Sequence, residues 1–301
     1  MQDEASLVAT SRLGRRLSQA SALGVTPRKA WAGPFPGGTS SHSVVTARLA
    51  RVWVTVRHWS LPALVGVSGG LSIAILVVGT SFAAALAADP AAMRGYGGVD
   101  FDLYRDATAR WLVGGAFYPS AQLAGAYPLP GAILYPPVAL WLFAPFTVLP
   151  ALLWWAIPLG ATAWAIVRMR PGPLAWPLMA ACLAAPVFHV KVLTGNPVLW
   201  VQAAVALGCL YSWPAVLVLI KPSLAPLALI GANRRSWMRA LVILGLVSLP
   251  FGAMWVDWIT SMLNLEGGDL LYSLMDWPLV ALPLAAWAGR QLTRFVEGRR
   301  E

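Results

Sequence analysis

The chain has 301 residues, 58% of them hydrophobic and 11% charged, with a formal net charge of +10 and a mean hydropathy of +0.66. A soluble domain carries about 25% charged residues, so this composition excludes an ordinary water-soluble fold and defines an integral membrane protein. The positive charge does not point to nucleic acid, because the basic residues gather in the polar N-terminal stretch and between apolar segments, where they report membrane orientation.

Residues 1–58 hold eight Lys or Arg and two acids among Ser, Thr, Gly and Pro, without sustained apolar periodicity. This reads as a disordered, basic, cytosolic tail with affinity for anionic lipid headgroups. Arg15-Arg16 is not followed by the apolar core of a signal peptide. Residues 59–301 form the membrane domain, with eight apolar segments at about 61–88, 133–149, 150–167, 172–190, 196–212, 213–232, 239–256 and 275–290. Each is near the ~20 residues needed to cross hydrocarbon. The expected fold is therefore an all-α, polytopic helical bundle with about eight transmembrane segments. Both termini are cytosolic, since the tail arginines, Arg234, Arg235, Arg239, Arg290, Arg294, Arg299 and Arg300 then share one side.

The outer loops, 89–132 and 257–274, together with Asp276, carry eight of the twelve acids. Arg168 and Arg170 also fall outside on this count, against the charge rule. Either they are tolerated there, or the proline-rich stretch 133–167 holds a re-entrant segment. Cys182 and Cys209 lie inside apolar segments and offer neither a disulfide framework nor a zinc spacing. The sixteen Trp, among them Trp154, Trp155, Trp200, Trp213 and Trp258, read mainly as interface anchors.

In the first outer loop, Phe101 to Val113 reads as an amphipathic surface helix stopped by Gly114-Gly115. Phe101, Tyr104, Thr108, Trp111 and Leu112 lie on one face and Asp102, Asp106 and Arg110 on another. Asp100 falls at its N-cap, where Asp is a preferred residue. Lys221 is the only charge between Val192 and Asn233. An intramembrane lysine is costly unless it pairs, snorkels or serves a function. Arg105 and Arg110 either contact an anionic ligand or pair with Asp102 and Asp106 at helical spacing. His189 and Lys191 flank the end of an apolar segment, where polar side chains reach for the interface.

The order of motifs resembles glycosyltransferase family 87, in the C-superfamily of membrane glycosyltransferases. The resemblance rests on Val99-Asp100-Phe101-Asp102-Leu103-Tyr104, Gly114-Gly115-Ala116-Phe117-Tyr118-Pro119, Tyr135-Pro136-Pro137, Gly195-Asn196-Pro197-Val198 and Lys221-Pro222-Ser223, within about residues 61–240. It implies transfer of a sugar, by the family's habit mannose, from a polyprenyl-phosphate carrier to a lipid or envelope-glycan acceptor at the outer face of the inner membrane. Asp100 would be the general base, with Asp102 the fallback. Lys221, with Arg105 and Arg110, would hold the donor phosphate. Tyr104, Tyr135, Asn196 and His189 are further site candidates. No cluster has metal-ligand spacing, and the sequence neither requires nor excludes the divalent cation that many superfamily members use. Family members run well beyond this chain with further spans. A shortened, non-catalytic scaffold or partner subunit of the same fold is thus the alternative function. A small-solute transporter is less consistent with a chain lacking internal repeats.

Overall fold

In the computed structural model, residues 61–89, 91, 95–129, 131–266 and 274–297 are described. The chain divides into residues 1–58 and 59–301; the tail expected at 1–58 lies outside the described residues. The described part is helical, with no strand and a single bridge between Tyr127 and Leu265.

Helix α1, Leu61–Ala88, is apolar on every side and largely exposed, as a lipid-facing helix is. At 28 residues it is about 42 Å long, more than a hydrocarbon core of about 30 Å requires. The outer loop contributes α2, Val99–Leu112, and α3, Ser120–Ala124. A broken stretch follows, with α4, Leu140–Phe143, between 3-10 turns Pro137–Ala139 and Ala144–Thr147. Then come α5, Leu152–Met169, α6, Trp176–Ala184, α7, Pro186–Thr194, and α8, Val198–Tyr211. Two 3-10 legs, Trp213–Ile220 and Pro222–Leu229, flank Lys221. The chain closes with α9, Arg235–Ser248, α10, Met254–Asn264, and α11, Trp277–Glu297.

Among the described residues, two helices are long and apolar enough to cross a membrane, Pro62–Ala85 and Leu152–Met169. The number rises to four if the pairs bent by 55° at Ala185 and by 92° near Gly252 each count as one span. This is fewer than the eight apolar segments of the sequence, and the chemistry of the breaks explains why. Proline removes a backbone donor and clashes with the preceding turn. Pro136, Pro137, Pro145, Pro186, Pro214, Pro222 and Pro250 stand at the starts of the short pieces.

α2 departs from the sequence reading in two ways. Its inward face is Phe101, Tyr104, Ala107 and Thr108, whereas Leu112 is 53% exposed. That face lies on protein rather than along lipid: Tyr104 stacks on Phe143 at 4.9 Å and Phe101 meets Trp154 at 5.4 Å. Trp154, 1% exposed, is a core residue and not an interface anchor. Its ring also meets Phe146 at 5.0 Å and Trp200 at 5.5 Å. Aromatic pairs of this kind contribute about 0.5–1.5 kcal/mol beyond their buried area, so the cluster fixes α2 over the start of α5.

Candidate functional site

The start of α2 is bonded to the turn between α7 and α8. Gly98, with φ +73°, takes the N-cap position and donates its N–H to Leu193 O at 2.9 Å. Asp100 is therefore not the N-cap: it sits in the first helical turn, where the positive end of the helix favours a carboxylate. Half-buried, it accepts a 2.7 Å hydrogen bond from Asn196 Nδ2. The Asn196 Oδ1 accepts the Val198 N–H at 3.0 Å, at the start of α8. One end of this amide is committed to the Val198 N–H, and the other is thereby aimed at Asp100.

Gly195 is what allows the turn. Its φ of +67° is the left-handed region, and a Cβ there would lie 2.6 Å from the Trp155 ring and 2.9 Å from Phe101 Cβ. Trp154 and Trp155 donate indole N–H groups to Gly195 O and Val192 O, both at 2.7 Å. Gly195→Ala is expected to lower the thermal midpoint of the detergent-solubilised chain by several degrees, through about 1–3 kcal/mol of backbone strain and ring displacement. A midpoint equal to wild type would show that the turn tolerates a side chain.

A second cluster lies beside the first. Lys221, at the extended junction between the two 3-10 legs, places Nζ 2.5 Å from Asp276 Oδ2. Lys191, on α7, reaches Asp276 Oδ1 at 3.6 Å. The Asp276 side chain is 1% exposed, against 17% for Lys221 and 24% for Lys191. Lys221 Nζ also lies 5.8 Å from the Tyr135 ring centroid, and Tyr135 packs edge-on against Tyr104 at 5.2 Å. The Asn196 N–H donates to Lys191 O at 3.0 Å, which joins the Asp100–Asn196 pair to this cluster. Burial pushes the Tyr104 phenol above its ordinary range, which keeps it a neutral hydroxyl.

The structure thus brings together Asp100, Asn196, Lys221, Tyr135 and Tyr104 from the sequence candidates, and adds Lys191 and Asp276. An acid at the start of an apolar segment needs a partner, which is the signal Asp276 carried. Asp102, Arg105 and Arg110 are elsewhere. Arg105 pairs with Asp102 and Asp106, both at 3.0 Å, on the exposed face of α2. Arg110 donates to Ala116 O at 2.7 Å and Phe117 O at 3.1 Å, closing the Gly114-Gly115 turn rather than pairing with Asp106. His189 packs against Phe188 at 5.9 Å, outside this cluster. Among the described residues, no group of three or more His, Cys, Asp or Glu converges.

No protein-family model, curated protein or solved structure matches the chain.

Proposed function

We propose that the chain is a multi-pass inner-membrane glycosyltransferase with a C-superfamily-like helical fold, which moves a sugar from a polyprenyl-phosphate carrier to a lipid or envelope-glycan acceptor at the outer face. Mannose is the sugar that the resemblance to family 87 suggests. The observation that carries this reading is the Asp100 carboxylate, oriented by Asn196 and standing beside a cluster with two lysines.

In the reaction, the acceptor hydroxyl oxygen attacks the anomeric carbon as its proton passes to Asp100. The bond from that carbon to the carrier phosphate breaks, and the phosphate keeps the electron pair. No general acid is needed, but the growing charge has to be met. Lys191 and Lys221 supply two positive charges against the one of Asp276, and a phosphate held by them at the edge of a low-dielectric region is bound more strongly than in water. Lys191, with the longer contact and the greater exposure, is the first to reach it. Arg105 and Arg110 are occupied elsewhere and take no phosphate role, and the base is Asp100 rather than the exposed Asp102.

The same Asp276 cluster supports a second reading, a non-catalytic scaffold in which the charges serve only to lock segments together. Purified chain in proteoliposomes, given labelled polyprenyl-phosphate mannose and lipid extract from its own cells, separates the two. A labelled lipid product is expected. Absence of product with mannose and with other polyprenyl-phosphate sugars would favour the scaffold.

A further inference from the structure

We propose that residues 133–149 and 213–229 are re-entrant: 133–149 leaves from and returns to the face that holds Asp100, and 213–229 leaves from and returns to the opposite face, with Lys221 at its tip reaching up to the Asp100 site. This holds whether or not the chain transfers sugar.

Asp100 and Asn196 are joined by a hydrogen bond. If the three apolar segments between them, 133–149, 150–167 and 172–190, all crossed, the two residues would lie on opposite faces, a hydrocarbon thickness of about 30 Å apart. They are 2.7 Å apart, so an even number of these segments cross. The first is the one that stays. Near its beginning, Leu134 O and Tyr135 O accept hydrogen bonds from Trp258 and from Tyr118 of the outer loop. Its middle donates from Trp141 to Val247 O at the end of α9, and its far end packs Phe146 on Trp154, at the start of α5. Both ends of 133–149 therefore meet the Asp100 face.

The segment 213–229 shows the same return. Gly208 on α8 packs so closely against Ala215 on the first leg that a Cβ on Gly208 would come within 2.8 Å of the Ala215 Cβ, so the leg runs back along α8. At the base, Gly231 lies against Ser212 without room for a side chain. At the tip, Lys221 meets Asp276 together with Lys191. α8 and the two legs make one net crossing in three strokes.

Charge supports this path independently. With 133–149 returned, α5 carries Arg168 and Arg170 to the face opposite Asp100. There Gly172 lies against Thr293 and Gly289 against Ala175, so these arginines end beside Arg290 and Arg294 of α11. Arg168 lies over the Trp164 ring at 5.9 Å and Trp164 stacks on Tyr211 at 6.2 Å, which puts Ser212, Gly231 and the following Arg234 and Arg235 at the same level. Arg168, Arg170, Arg234, Arg235, Arg290 and Arg294 then share one side, as the orientation rule favours, and Arg168 and Arg170 are no longer exceptions. The returning backbone is tolerable because it is packed on protein.

The test is sided labelling of the full chain in intact and permeabilised cells with a membrane-impermeant maleimide, in a Cys182→Ala, Cys209→Ala background. Ser120→Cys marks the Asp100 face. Arg168→Cys and Asn233→Cys are expected to label only from the opposite side, and Ser223→Cys from the Ser120 side. Asn233→Cys gives the same readout as Arg168→Cys if that variant does not accumulate. Labelling of Arg168→Cys or Asn233→Cys from the Ser120 side overturns the path. A Ser223→Cys that labels from the opposite side, or from neither, overturns the hairpin.

Discussion

Asp100→Asn is expected to lower sugar transfer by about 10²–10⁴-fold, the range that a positioned general base contributes. The change is nearly isosteric and keeps an oxygen that can accept from Asn196 Nδ2, so the turn at 195–198 stays in place. What disappears is the group that, in the proposed reaction, takes the proton from the acceptor hydroxyl. The loss therefore falls on kcat, with KM for donor and acceptor little changed. Loss of one charge from the first turn of α2 costs about 0.3–1 kcal/mol of helix-end electrostatics, and Asp102 remains there. The thermal midpoint should move by a few degrees at most. Initial rates over a range of acceptor concentration, paired with a melt of the same preparation, separate the chemical effect from a folding effect.

Asp276→Ala is expected to be the most destabilising single change at the site, by about 3–5 kcal/mol, the usual effect of removing one partner from a buried ion pair. The carboxylate is 1% exposed and meets both Lys221 and Lys191. Its loss leaves two like charges facing each other where little water reaches. Because a buried pair is weak evidence for net stability, replacing both partners has a different outcome. Asp276→Leu combined with Lys221→Met should recover most of the lost midpoint, with Lys191 still able to reach solvent. If Asp276→Ala melts like wild type, the cluster does not hold the 213–229 segment in position.

The individual site residues were legible in the sequence because each breaks a local rule. Lys221 is a lone charge in an apolar stretch, Asp100 opens an amphipathic helix, and Gly195-Asn196 interrupts two apolar runs. Their convergence was not legible, since Asn196 lies 96 positions from Asp100 and the path between them depends on which segments cross. Hydropathy sees only that about 18 residues are apolar; a pair of short 3-10 legs and a single span look alike to it. The prolines at 136, 137, 214 and 222 were the local sign that these segments break. Lys191 read as an interface lysine because its partner, Asp276, arrives from the far end of the chain. Trp154 and Phe101 were misplaced for a related reason. Aromatic residues belt membrane interfaces and also build cores, and only the packing of α2 on α5 distinguishes the two.

In the proposed reaction Asp100 and Lys221 act together at one site. The direct measurement is the single-turnover rate of transfer from polyprenyl-phosphate mannose by wild type, Asp100→Asn, Lys221→Met and the double variant, each checked for folding by its melt. Groups that act in the same transition state are strongly non-additive. The expected result is that each single variant is slowed at least about 10²-fold and that the double variant is little slower than the worse single one. Transfer by Asp100→Asn or by Lys221→Met at the wild-type rate would show that the residue takes no part in the reaction.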